Sequence, residues 1–193
     1  MSQLQLDRHG FLKDHPQVQH CLSPNYAARP THLAPCLLVL HNISLPPYQY
    51  GGPYIEQLFC NCLNPEQHPY FAGIAQLRVS SHFLIRREGL IVQFVSTEQA
   101  AWHAGASDFE GMGPCNPYSI GIELEGCDFE AFTPVQYQQA AALTAILKVR
   151  YPLRAVRGHE HIAPVRKTDP GPFFDWAHYC QLAAWSRRQA PAF

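Results

Sequence analysis

Charge is scarce in this chain and nearly balanced where it occurs. Only 15% of its 193 residues are Asp, Glu, Lys or Arg, against about 25% in an average domain, and 14 basic residues meet 15 acidic ones for a formal net charge of -1. No global positive field exists to hold a polyphosphate backbone, so sequence-independent nucleic-acid binding is excluded. Long apolar runs are also missing. No stretch approaches the ~20 residues that span a bilayer, and the opening MSQLQLDRHGFLKDHPQ has neither the apolar segment nor the small-residue cleavage site of a secretory signal. A soluble, cytoplasmic chain that does not engage membranes is expected. An even set of cysteines is lacking too: the seven are unevenly spaced, and several sit in or beside apolar runs, where a free thiol packs as a small hydrophobe. That suits a reducing compartment. Dense metal motifs such as His-Glu-x-x-His on a helix, or paired Cys-x-x-Cys, are absent.

What is present is apolar material for a core, at 47% of residues, in a length that corresponds to one domain at ~100–200 residues each. Cys36–Leu40 is a short apolar run between Pro35 and His41-Asn42, the pattern of a buried strand that ends at His41. From Ser44 to Gly73, prolines, glycines and tyrosines alternate. This predicts a long loop region with one short helix near Tyr54–Leu63, free to move over a site. Ser81–Arg86 and Leu90–Val95 flank Arg87-Glu88-Gly89, which predicts a hairpin. Ser119–Glu125 alternates apolar and polar residues as a strand with one polar face would.

Thr133-Pro134-Val135-Gln136 places a cap, a helix-compatible proline and the capping-box Gln in order, so a helix of roughly four turns should run to Tyr151 before Pro152. Its apolar stripe is expected along Val135, Ala142, Ile146 and Val149. A short strand at Ala155–Arg157 and a C-terminal helix from Asp175, with Arg187 and Arg188 near its end, complete the elements. Together they predict an α/β fold: a single domain with a central mixed β-sheet flanked by helices and long loops.

Eleven histidines exceed what packing needs. The string from Arg157 to Pro172 carries His159, His161, Lys167 and Asp169 in a proline-pinned loop with too few apolar residues for core. A catalytic zinc needs about three protein ligands and one open position. His159 and Asp169 with His41 from the strand end satisfy that; a hydrogen-bonded loop histidine and a helix-capping Asp explain the same residues. His82 and His103 read as wall residues or partners of ligands, and His9, His15, His20, His32 and His178 as surface or packing histidines.

The strings His41–Pro47, His68–Phe71, Ser81–Ile85, Trp102–Gly105, Ser119–Gly126 and Gly158–Pro172 together resemble the zinc-dependent N-acetylmuramoyl-L-alanine amidases related to peptidoglycan recognition proteins, most of all the AmpD-type branch. The resemblance covers about residues 18–185, so that 1–193 reads as one amidase domain. It implies one zinc ion held by His41, His159 and Asp169, with Glu123 as general base and Lys167 beside the developing oxyanion. It further implies that Asn42, Arg78, Ala163 and Arg166 line a pocket for the bond between the lactyl group of 1,6-anhydro-N-acetylmuramic acid and L-Ala, in peptidoglycan recycling. Trp102 is of the residue type that suits an aromatic wall for the sugar, and a monomer is expected.

By pattern alone Glu123 and Glu125 are equivalent on one strand face, and Arg166-Lys167 is an ordinary solvated basic pair. The family usually has a small polar or acidic residue where His161 stands, and Glu110–Asn116 lacks a cation that relatives can offer the stem peptide. Two other classes remain: a binding module for peptidoglycan fragments that keeps the fold without catalysis, and a cysteine hydrolase, which is disfavoured because no cysteine sits at a strand-to-helix elbow.

Overall fold

The computed structural model describes residues 3–192. Eight strands and four helices follow one another as β1 (Val18–His20), β2 (Tyr26–Ala28), β3 (Leu37–Ile43), α1 (Tyr54–Phe59), β4 (Phe83–Ile85), β5 (Ile91–Gln93), β6 (Gln99–Ala101), β7 (Ser119–Glu125), α2 (Pro134–Arg150), β8 (Ala155–Gly158), α3 (His159–Ile162) and α4 (Trp176–Leu182). Six of the strands form one sheet in the order β1-β5-β4-β7-β3-β8, while β2 and β6 pair separately. Only β4 and β5 run antiparallel in the large sheet. The fold is thus α/β with a central mixed sheet, and the hairpin turn is closed by Gly89 at φ 90°, where a side chain would be strained. No helix among the described residues is long and apolar enough to cross a membrane.

Both faces of the sheet are covered, as parallel strands require. Leu38 and Leu40 of β3 with Ile120, Ile122 and Leu124 of β7 face α2 and α4. On the other side Leu37 and Val39 meet Phe109, Cys115 and Tyr118, while Leu84 and Val92 meet Ile55, Leu58 and Phe59 of α1. All seven residues of β7 are therefore buried. The alternation that predicted one polar face marks instead two covered faces, one of which carries Ser119, Gly121, Glu123 and Glu125.

The Ser44–Gly73 region also departs from a bare loop. Leu45, Ile55, Leu58, Phe59, Leu63 and Phe71 are buried in one cluster with Leu84, Val92 and Phe94. Buried Arg86 bridges Glu56 of α1 to Glu125 of β7, the latter at 2.6 Å, and donates to the Gly52 carbonyl at 2.8 Å.

Helix α2 starts at the expected capping box, but its buried face is Gln136, Tyr137, Ala140, Leu143, Thr144 and Leu147, leaving Val149 91% exposed. The C-terminal helix ends at Leu182, and Ala184 adopts φ 51°, so Arg187 and Arg188 lie past it. The chain after β8 opens as α3 rather than as loop.

Candidate metal centre and cleft

Register assembles the site. In the parallel β3–β7 pair His41 lies opposite Glu123, and in the β3–β8 pair Leu40 lies opposite Gly158, so His159 follows at the level of His41. All three side chains project at the carboxyl ends of adjacent parallel strands, where open α/β sheets hold their ligands. Asp169 returns from the loop after α3, tied back by the Glu160 amide donating to the Asp169 carbonyl at 2.9 Å.

His41 Nδ1, His159 Nδ1 and Asp169 Oδ2 form a triangle with sides of 2.9, 3.1 and 3.1 Å. His159 Nε2 faces the Ala104 carbonyl oxygen at 3.1 Å, so Nε2 carries the hydrogen and Nδ1 is a bare acceptor. On the other ring, His41 Nε2 is 2.9 Å from His103 Nδ1, and His103 Nε2 is 3.0 Å from Ser119 Oγ. We assign both Nε2 atoms as donors along this chain, which leaves His41 Nδ1 bare as well. Two ring lone pairs and a carboxylate oxygen this close repel unless they share a cation. Tetrahedral donors at ~2.0–2.1 Å from zinc stand ~3.3 Å apart, close to the triangle seen, so the donor set fits. Burial also holds His41 near pKa 4, below the ordinary 6.5, and so keeps it neutral for ligation.

Glu123 opens onto the same cleft. Burial, followed by the charge of Asp169, drives its carboxyl well above the ordinary value, while Lys167 opposes the shift. Its carboxyl has no hydrogen-bond partner among the described residues. Glu125, two residues on, is instead consumed by Arg86 and the Gly51 amide. That separates the two glutamates that the sequence pattern left equivalent.

A cleft of about 610 Å³ is lined by His41, Asn42, Trp102, His103, Glu123, His159, Arg166, Lys167 and Asp169, together with Tyr48, Phe129, Tyr70 and Leu77 near its rim. Arg166 is not a free solvated cation: its guanidinium donates to the carbonyls of Ala104 and Ala106 at 2.9 and 2.7 Å. Asn42 donates to Asp128 and to the Pro170 carbonyl, and Thr168 donates to the same Asp128, which braces the loop that carries Asp169. Arg78 is exposed and turns to the carbonyls of Gln76 and Leu77 outside the lining. Ala163 is buried, its carbonyl accepting from the Arg166 and Lys167 amides. His161 accepts from the Gly158 amide at 2.9 Å and packs edge-on against Trp176, away from the ligand triangle.

His82 and His103 prove to be buried structural partners. His82 Nδ1 accepts from the Gly121 amide at 3.0 Å, and the bare backbone of Gly121 gives the His103 ring its room. Sequence reasoning missed Ser119 and Asp128, and the rim pair Tyr48–Phe129, whose rings lie 5.8 Å apart. Ser119 stands in a motif string but nothing local marks its bond to His103, and no string contains Asp128 or Phe129.

A family model described as N-acetylmuramoyl-L-alanine amidase matches residues 32–172. The chain is 58% identical over 162 residues to the 1,6-anhydro-N-acetylmuramyl-L-alanine amidase AmpD of Citrobacter freundii, covering 83% of this chain and 87% of that one. To the AmpD of Escherichia coli K12 it is 56% identical over 164 residues, covering 84% and 90%. The crystal structure of a selenomethionine AmpD derivative superposes with a TM-score of 0.87 at 54% identity, over 92% of this chain and 98% of the other.

Proposed function

The chain belongs to the N-acetylmuramoyl-L-alanine amidase family and is an amidase of the AmpD type, and from that premise we propose its substrate, metal and catalytic residues. The substrate is an anhydromuropeptide, cleaved between the lactyl carbonyl of 1,6-anhydro-N-acetylmuramic acid and the nitrogen of L-Ala. The enzyme acts as a cytoplasmic monomer in the recycling of wall fragments. Zinc is held by His41, His159 and Asp169. The observation that carries this reading is the converging triangle of two bare imidazole nitrogens and one carboxylate oxygen beside the unpaired Glu123.

Amide hydrolysis needs a better nucleophile than water and a place for negative charge on the carbonyl oxygen. Zinc in such a site supplies both an acidified water and Lewis-acid polarisation of the carbonyl. Glu123 takes the proton of the attacking water on its carboxylate, whose affinity for a proton is raised by burial. The same carboxyl then delivers that proton to the departing L-Ala nitrogen as the C–N bond breaks. Lys167, which lines the cleft on the metal loop, faces the oxyanion with its ammonium. Trp102 and Arg166 border the cleft as an apolar wall and a cation near the peptide carboxylates. Asn42, on the cleft wall, and Ala163 act through the loop that they brace, whereas Arg78, outside the lining, is assigned no contact with substrate.

The reading is tested by His41→Ala, His159→Ala and Asp169→Ala proteins assayed on anhydromuramyl-tripeptide by mass spectrometry. Each is expected to release no free tripeptide. Full release by any of them contradicts the ligand assignment, and binding without release by the zinc-loaded parent protein contradicts catalysis and leaves a binding module.

A further inference from the structure

Outside the cleft, two cysteines from remote segments meet. Cys21 directly follows β1, and Cys60 caps the C-terminus of α1. Their Sγ atoms are 3.4 Å apart although 39 positions separate them in sequence. A disulfide requires ~2.05 Å, so each sulfur has to move by only about 0.7 Å. Both residues are partly exposed, whereas Cys115, Cys127 and Cys180 are buried.

The backbone around the pair is already stitched. The Phe59 carbonyl accepts from Ser23 Oγ and, at 3.1 Å, from Asn25 Nδ2, while the Cys21 amide donates to the Gln93 carbonyl at 3.0 Å. The segments that carry the two thiols are therefore tied in place on either side of the contact. Leu58 and Phe59, immediately before Cys60, form part of the cleft wall.

We propose that Cys21 and Cys60 are a redox modification site: a reversible disulfide that latches α1, and with it one wall of the cleft, to the edge of the large sheet. The co-reactant is a low-molecular-weight disulfide. The Cys21 thiolate attacks one of its sulfurs and expels a thiol; the Cys60 thiolate then attacks Cys21 Sγ and expels the second. Two protons and two electrons pass from the protein to the reagent, which leaves as two thiols. Burial, and next the hydrogen bond with Cys21, holds the Cys60 thiol near pKa 12, so Cys60 is the slow partner until Cys21 is capped. Capping Cys21 removes the second of those contributions. The pairing is independent of the chemistry assigned to the cleft.

The test is incubation of the whole reduced protein with oxidised glutathione, followed by alkylation, digestion and peptide mass spectrometry. A Cys21–Cys60 cross-link, lighter by two hydrogens and reversed by dithiothreitol, is expected. Closing a loop of about 40 residues should raise the midpoint of thermal unfolding on the order of 10 °C, a rise absent in Cys21→Ser and Cys60→Ser proteins. A cross-link from Cys60 or Cys21 to Cys62, a persistent glutathione adduct without cross-link, or unchanged thiols overturns the proposal. So does a cross-link that leaves the midpoint where it was.

Discussion

Replacing Gly121 by Ala should weaken metal binding without touching a ligand. A Cβ there would stand 2.6 Å from His103 Cγ and 2.7 Å from His103 Nδ1, where ordinary contacts need about 3.6 Å. The ring must retreat by roughly 1 Å. It is held at 2.9 Å to His41 Nε2 and 3.0 Å to Ser119 Oγ, and it cannot keep both bonds through such a shift. Overpacking costs about 1–3 kcal/mol and an unpaired buried donor about as much again, so the loss is roughly 2–6 kcal/mol. In a domain of this size that lowers the unfolding midpoint by on the order of 5–20 °C. Freed from its partner, His41 should bind zinc about 10–100-fold more weakly. Differential scanning fluorimetry of the metal-free protein and competition with a chromophoric chelator measure the two effects. Adding His103→Ala to Gly121→Ala should recover part of the stability but none of the affinity. An unfolding midpoint and a zinc affinity both unchanged in Gly121→Ala would refute the role given to His103.

Glu123→Gln should lower kcat by about 10²–10⁴ while zinc stoichiometry stays the same, and Lys167→Ala by about 10²–10³, read from initial rates on anhydromuramyl-tripeptide; near-parental rates would remove these residues from the chemistry. Arg86→Met strands Glu125, which is only 1% exposed, so urea melts should show a loss of about 3–5 kcal/mol; a neutral result would mean that water reaches the carboxylate. Burial holds His82 near pKa 3 in the folded protein against an ordinary 6.5. The unfolded chain therefore takes up this proton first as the pH falls. The stability His82 contributes is complete above about pH 6.5 and is lost downward through that window, by on the order of 2 kcal/mol between pH 7 and pH 5. Equal urea stabilities of the metal-free protein at the two pH values would contradict a buried neutral ring.

Elements whose signals are local could be read from the chain. The Thr133 capping box, the Gly89 turn and the full extent of β7 each depend on neighbours within a few residues. The strands β1, β2 and β6 could not be read: Val-Gln-His, Tyr-Ala-Ala and Gln-Ala-Ala carry neither the apolar run nor the flanking turn that marked the equally short β4 and β5. The buried face of α2 was hidden by its own polar members. Gln136 donates to the carbonyls of Ile85 and Glu125, and Thr144 bonds Tyr179, so hydrogen bonding rather than apolarity puts them inside. At the site, residue types suggested His41, His159 and Asp169, but it is strand register that brings the two histidines together and the return of the loop after α3 that adds Asp169. The strand pattern left Glu123 and Glu125 equivalent and only the family resemblance singled out Glu123; the structure shows Glu125 occupied by Arg86, a residue at another strand's end. Asp128 and Ser119 act on side chains remote in sequence, so no local pattern shows their roles.

A single experiment addresses both the metal and the reaction. Purified protein would be analysed for zinc per chain, then assayed on anhydromuramyl-tripeptide by mass spectrometry as isolated, after chelation, and after zinc is returned. One zinc per chain is expected, with intact anhydro-sugar and free tripeptide produced, abolished by chelation and restored by zinc. Product formation that survives complete removal of the metal would contradict the account.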